Sequence, residues 1–244
     1  MKSIIIAAGY NCAEYVSKCV ESVKGQSYDN WRLYLISDGS TDGTAQECIK
    51  SIDDKVSAFI YQDNLGAALR RYDAIKESEG SPEDVVILLG LDDELMPNAL
   101  ELIKKEYEDG KLVTYGNWIN QHGKGLPDDF QLDFDEQTHK DRSYRRVKYR
   151  STAPNTFKKK LYDKIHVERH KVFGRWPKAD TESEVMFSCL EMAGRERIGV
   201  IKEPIYLYNQ REGMSAKRRL GAAYQDGIYA EVIKRVRMPL YEEL

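Results

Sequence analysis

The chain has 244 residues, 41% of them hydrophobic and 32% charged, which suits one soluble globular core under a well-charged surface. A formal net charge of −3 excludes a global positive field that would recruit nucleic acid or anionic membrane, so any basic patch must be local. No apolar stretch approaches the ~20 residues that span a bilayer, and the opening "MKSIIIAAGYN" is too short for a signal peptide's apolar core. The four cysteines (Cys12, Cys19, Cys48, Cys189) show no CxxC spacing, so they read as reduced thiols of a cytoplasmic protein.

Apolar runs recur in chain order: "SIIIAA" from Ser3, "WRLYLIS" from Trp31, "VSAFIY" from Val56, "DVVILLGL" from Asp84 and "LVTYGNW" from Leu112. Their starts lie 28, 25, 28 and 28 residues apart, the length of a strand-helix unit. The gaps carry helical spacing. Tyr15, Val16, Cys19, Val20 and Val23 form one stripe, with Asn11 expected to cap it and Glu14 to reach back. Further stripes run through Ala45 to Ile52, Leu69 to Ile75 and Ala99 to Ile103. Runs this apolar indicate a mostly parallel sheet covered on both faces, a doubly wound, Rossmann-like α/β fold.

Beyond residue 118 the pattern breaks. Residues 122–137 are turn-rich and acidic, a loop or lid, and "KDRSYRRVKYR" at 140–150 is strongly basic. Helices are predicted near Asn155, over about Glu182–Ala193 and from about Ala216, with two short strands, "RIGVI" and "PIYLY", before the last. With no repeat and no long linker, the expectation is one domain over 1–244, with a nucleotide-binding half (1–117) and an irregular acceptor-binding half (118–244).

Ligands of an open parallel sheet sit beyond the carboxyl ends of the strands, so polar residues there carry the interest. These are Tyr10 and Asn11 after the first run, Asp38 in "SDGSTDGT", Asn64, Gly66 and Arg70 in "NLGAALRRYDAI", and Asp92–Asp93 after the fourth. Singly each has a plain reading. Asp38-Gly39-Ser40 makes an ordinary turn, Arg70 and Arg71 a solvated helix face, and Asp92–Asp93 acids at a helix start. Together at one edge, two adjacent carboxylates call for a compensating cation. His166 and His170, four apart, read as surface histidines, and Trp118 and Trp176 as packing residues.

The segments "SIIIAAGYN", "ESVKGQSYDNWRLYLISDGSTDGT", "NLGAALRRYDAI" and "LLGLDDELMPNAL" resemble, in order and spacing over about residues 3–105, the family 2 glycosyltransferases of GT-A fold. That resemblance implies a transferase moving a hexose or pentose from a nucleotide-sugar, a UDP-sugar first, to an acceptor hydroxyl, with Mn²⁺ or Mg²⁺ and with inversion. It implies base contacts for Tyr10 and Asp38, a base or phosphate contact for Arg70 near Asn64 and Gly66, and a metal and ribose site at Asp92 and Asp93. Two departures stand out. Ala7-Ala8-Gly9 replaces a Pro-Thr-like pair, which turns the contact at Ala8 into a backbone one, and Gly90 replaces the first acid of the usual motif.

Glu182, twelve residues before Gly194, falls at the family interval for the general base, with Asp180 and Glu184 as reserves. The basic, tyrosine-bearing 140–150 segment is assigned to an anionic acceptor, with a hydroxymethylated base in DNA as one alternative. The other is a binding module that keeps the fold without catalysis.

Overall fold

The computed structural model describes residues 1–178, 182–210 and 220–243. Its first half runs β1 (Ser3–Gly9), α1 (Ala13–Lys24), β2 (Trp31–Asp38), α2 (Thr44–Lys50), β3 (Val56–Tyr61), α3 (Ala67–Glu77) and β4 (Val85–Gly90). A two-residue strand β5 (Glu94–Leu95), α4 (Ala99–Glu108) and β6 (Val113–Asn120) follow. All five long runs are therefore strands, and all four stripes are helices.

The second half contains α5 (Glu136–Asp141), β7 (Asn155–Lys158), α6 (Lys159–Asp163), α7 (Ser183–Ala193), β8 (Ile198–Tyr208) and α8 (Ala222–Ile233). One eight-stranded sheet joins the halves, in the order β3-β2-β1-β4-β7-β6-β8-β5. Strands β3, β2, β1 and β4 are parallel, and β7 lies antiparallel between β4 and β6. Successive side chains of β1 point to opposite faces. Ile4, Ile6 and Ala8 join a core with α3 and α7, while Ile5 and Ala7 join one with α1, α2 and α4. Each face is thus covered, which is why the runs carry almost no polar residues.

Several expectations change in the second half. The helix expected at Asn155 begins instead with strand β7, whose Thr156 hydroxyl bonds Tyr107 and Thr114, each at 2.6 Å. The polar cluster anchors β7 in the sheet, and only the lysines after it turn helical. "RIGVI" and "PIYLY" form one strand, β8, with a bulge against β6 where Asn117 pairs with Pro204. Proline has no N–H for the ladder, and the Asn117 side chain bonds the Lys202 carbonyl at 2.9 Å beside the irregularity. The 122–137 segment is a loop up to α5, largely exposed over 122–131 and anchored at its far end. Phe134 is buried, and Asp133 accepts from Tyr115 and His139, both at 3.0 Å. The predicted start of the last helix at Ala216 lies outside the described residues. Among those residues no helix is long and apolar enough to cross a membrane.

Candidate active site

The carboxyl ends of β1, β2 and β4 meet in register. Ala8 pairs with Ile36 on one side and with Gly90 on the other, and Asp38 closes β2 opposite Tyr61 of β3. Ala8, Tyr10, Asp38 and Asp92 therefore share one sheet edge, as the motif spacing requires.

The turn after β2 stitches this edge together. Thr41 N–H donates to Asn11 Oδ1 at 2.8 Å, and Asn11 N–H donates to Ser40 Oγ at 3.1 Å. Asn11, at φ 51°, does not cap α1. The α1 terminus is served from across the edge, where Asp42 Oδ2 accepts from Ala13 N–H at 3.2 Å. The other oxygen of the same carboxylate accepts from Thr44 N–H at 2.9 Å, so one acid takes a first-turn N–H from each of two helices.

Asp38 is 4% exposed, and most of its acceptor capacity is used internally. Its Oδ1 accepts from Leu65 N–H (3.0 Å) and Arg70 Nε (2.8 Å), and its Oδ2 from Gly66 N–H (2.8 Å). Of roughly four acceptor positions on a carboxylate, about one is left, on Oδ2. Arg70 is equally enclosed. It donates to the Asp63 carbonyl at 2.8 Å and lies over the Tyr61 ring at 3.6 Å. Asp38 and Arg70 thus fix the shape of the 63–66 turn from within. Gly66 sits there at φ 97°, and any side chain would meet the Lys178 backbone at 2.9 Å. Lys178 Nζ in turn donates to the Asn64 carbonyl at 2.9 Å, so the strap before α7 lies on the turn.

The two aspartates after β4 part company. Asp93 is 5% exposed, accepts from the Tyr206 hydroxyl (2.6 Å) and Asn209 N–H (2.8 Å), and belongs to the β8 side. Burial first, and the Asp92 charge second, push its carboxyl up to about 8, against those two hydrogen bonds. Asp92 is half-buried at the rim, its backbone carbonyl held by Asn209 Nδ2 at 2.8 Å. Gly90 makes room for both. A side chain there would run into the Asp93 carboxyl and come within 3.0 Å of Asp92 Oδ1. The missing family acid leaves space that its two successors occupy. Asp93 then serves as the buried support, and Asp92 as the accessible carboxylate.

Glu182 reaches this edge from the other half of the chain. One of its oxygens pairs with the Arg71 guanidinium, and the other accepts from Asn155 Nδ2 at 2.5 Å. Arg71 also reaches the Leu89 carbonyl at 3.4 Å, and its charge acts on Asp93, so it stands between the two acidic groups. Asn155 is available because β7 runs antiparallel, which brings its first residue opposite Leu88 near the end of β4.

Sequence reasoning missed Arg71, Asn155, Tyr206 and Asn209. Arg71 had a signal: counted from Asn64 and Gly66, the family spacing "N.G...aR" falls on residue 71, not 70. Neither arginine is a solvated face, their side chains being 7% and 11% exposed. Asn155, Tyr206 and Asn209 had none, since their approach depends on strand order.

Other expectations are corrected here. Glu184 is no reserve base, because it is buried among Arg145, Arg169 and Arg235 and also accepts from Ser188. Asp180 lies outside the described residues. His170 is not a surface histidine. It is 7% exposed among Tyr72, Tyr162 and Trp176, and burial pushes its imidazole down to about 4. In the 140–150 segment Tyr144 and Arg145 are buried, and Tyr149 packs on Phe187 and Tyr229. The interleaved rings and cations needed to hold single-stranded nucleic acid are therefore not presented, and the DNA reading is set aside.

The model of the family described as "Glycosyl transferase family 2" matches residues 3–170. The chain belongs to the family 2 glycosyltransferases. Among its relatives, the putative teichuronic acid biosynthesis glycosyltransferase TuaG of Bacillus subtilis is 31% identical over 99 residues, covering 40% of this chain and 38% of that protein. The chain spans less than two thirds of the length of the first curated relatives it matches. The fold is similar to that of S. aureus TarS 1–349 in complex with UDP-GlcNAc, at TM-score 0.66 and 19% identity, covering 87% of this chain and 60% of that one. It is also similar to the mannosyltransferase PcManGT from Pyrobaculum calidifontis in complex with GDP-Man and Mn²⁺. There the TM-score is 0.66 and the identity 15%, with 98% and 66% coverage.

Proposed function

We propose that this family 2 protein transfers a sugar from a nucleotide-sugar, a UDP-sugar first, to an acceptor hydroxyl, with Glu182 as general base and inversion at the anomeric carbon. One observation carries the reading. The Arg71–Glu182 ion pair brings an acid from the second half of the chain to the strand edge that holds Asp92. The donor would lie along that edge, with its base against Tyr10 and the Ala8 backbone, near the 63–66 turn. The position left on Asp38 Oδ2 can accept from a pyrimidine N–H. Nucleotide-sugars held by the solved neighbours, UDP-GlcNAc and GDP-Man with Mn²⁺, support this class of donor.

Asp92 fits a divalent cation, Mn²⁺ or Mg²⁺. It is a half-buried carboxylate at the rim with a second carboxylate behind it, and hard cations take oxygen ligands. Among the described residues no group of three or more His, Cys, Asp or Glu gathers there, so donor phosphate oxygens would complete the shell. Such a cation supplies charge neutralisation to the leaving diphosphate. Arg71, beside Glu182 and Asp93, adds a fixed positive charge at the same place. Glu182 is held by Arg71 and Asn155, and in this reading it would take the acceptor's proton on the face opposite the leaving group. The four cysteines are buried and outside any disulfide, which fits a reducing cytoplasm.

The test is a titration of UDP with and without Mn²⁺, alongside a donor-hydrolysis screen over nucleotide-sugars. Asp92→Asn should keep the fold and lose the Mn²⁺-dependent part of UDP binding, about tenfold or more. Equal binding by the variant and the wild type would remove the metal assignment. No hydrolysis of any donor, despite tight UDP binding, would favour the non-catalytic module that Gly90 suggests.

A further inference from the structure

A cavity of about 1040 Å³ opens between the 140–146 segment and the end of α8, lined by seven cationic and two acidic side chains. It is remote from the donor edge. Glu191 at its floor lies nine residues along α7 from Glu182, a separation of about 13 Å at the helical rise. A composition effect does not explain the charge, since the whole chain carries −3.

The cations fall into two sets. Arg145 is structural. It is 6% exposed, bonds Glu184 and Glu191 through both sides of its guanidinium, and donates to the Val232 carbonyl at 2.8 Å. Arg235 and Lys234 are likewise paired, with Glu184 and Glu231. The second set is Lys140, Arg142, Arg146 and Arg237, none of which has a carboxylate partner among the described residues. Two of these are nevertheless oriented. Arg142 donates one Nη to the Glu191 carbonyl at 2.9 Å, and Arg237 donates to the Asp141 carbonyl at 2.5 Å. Each keeps its remaining N–H donors, and a planar guanidinium fork suits phosphate oxygens. Arg142 itself is at φ 50°, a conformation uncommon for residues other than glycine, and it closes α5 toward the cavity.

Converging like charges on fixed side chains repel, and an anion relieves that repulsion. Solvated surface lysines and arginines need neither the concavity nor the backbone anchors. We propose that this cavity is a second binding site, for a phosphate-bearing ligand, separate from the donor edge and not dependent on its assignment. The phosphate can belong to a soluble anion or to a lipid headgroup.

The probe is inorganic tripolyphosphate, titrated calorimetrically in metal-free, low-salt buffer so that the acidic donor edge does not compete. The wild type should bind it, and Lys140→Gln with Arg146→Gln, both at exposed positions, should weaken binding about tenfold or more. The same double variant should melt like the wild type and bind UDP–Mn²⁺ unchanged. Arg237→Gln alone supplies a second reading and should weaken tripolyphosphate in the same direction. Flotation with phosphatidylglycerol against phosphatidylcholine vesicles separates the sources. Retention on the anionic vesicles, lost in the double variant, supports a lipid headgroup. Tripolyphosphate binding without retention supports a soluble ligand. The proposal is overturned if the wild type binds neither probe, or if both variants bind tripolyphosphate as tightly as the wild type.

Discussion

Between residues 3 and 120 the chain is organised by parallel backbone ladders and by short polar turns whose partners sit at the neighbouring strand end. From residue 121 onward the β6–β8 ladder continues the sheet, and buried ion pairs link positions still farther apart than Asp38 and Arg70. Arg145 meets Glu184 and Glu191 across 39 and 46 residues, and Arg71 meets Glu182 across 111. The first region therefore writes its structure into local spacing. The second writes it into pairings between charges that look alike in sequence. A buried ion pair is also asymmetric in energy, because losing one partner leaves the other charged and desolvated.

That asymmetry gives the largest expected effect. Arg145→Ala should destabilise the protein by about 3–5 kcal/mol, since Glu184 and Glu191 would remain buried without their shared cation. Urea unfolding measures it. A loss under about 1 kcal/mol would mean that Arg169 and Arg235 hold Glu184 without help, and that the second half is not built as described.

Next comes Glu182→Gln, which tests the residue linking the two regions. Turnover should fall about a hundredfold or more while UDP affinity stays nearly constant, because a base acts mainly in the transition state. Arg71→Gln should lower turnover as well, by loosening Glu182, whereas Arg70→Gln should act on stability and nucleotide affinity through the 63–66 turn. If Arg70→Gln alone reduces turnover, the roles assigned to these adjacent arginines are exchanged.

A pH effect of about 2 kcal/mol is expected from His170. Its folded-state value is pushed down to about 4 by burial, with Lys76, Arg235 and Arg169 nearby adding to the shift and Glu184 opposing it. Its Nε2 has no hydrogen-bond partner among the described residues. The unfolded chain takes up the proton near pH 6.5, and the native chain only near 4, so the His170 contribution to stability falls as pH drops between those values, while the raised Asp93 carboxyl acts in the opposite sense. Asp93 is common to both proteins, so the effect is read as a difference: between pH 7 and pH 5 the wild type should lose stability relative to His170→Phe in parallel melts. Parallel pH profiles for the two proteins would contradict it.

The smallest effect concerns the contact between the regions at Gly66. Gly66→Ala meets an unfavourable φ of 97° and the Lys178 backbone, and should cost about 1 kcal/mol or more, with weaker UDP binding. Unchanged stability would mean that the 177–178 strap yields freely.

Legibility in the sequence follows the same division. The five long strands, four helices and the strand-end positions of Ala8, Asp38 and Asp92 were readable because each depends on spacing within about thirty residues. The role of Asp38 was only half readable. A carboxylate in a Gly-Ser-Thr turn signals a strand end, but that it faces Arg70 and two backbone N–H groups depends on where β3 returns. The antiparallel entry of β7 was hidden because "NTFKKK" has only Thr156 and Phe157 as strand-favouring residues before three helix-forming lysines, and the hydroxyls of Tyr107 and Thr114 settle where the change falls. His170 and Arg145 were misjudged for one reason. Polarity predicts exposure unless a partner or an aromatic wall is in place, and both were supplied from elsewhere in the chain.

The four buried cysteines give the molecule a built-in set of reporters. Cys12, Cys19 and Cys48 lie in the layer under α1, α2 and α4, and Cys189 in the layer on the opposite face of the sheet. Burial raises the thiols of Cys19 and Cys189 well above their usual range, and that of Cys48 to about 12, so in the native state these three are held as unreactive thiols. An alkylating reagent added during slow denaturation would therefore mark each residue at the moment its own layer opens. The order of modification, read by mass, would time the separation of the two faces within one unlabelled, wild-type chain.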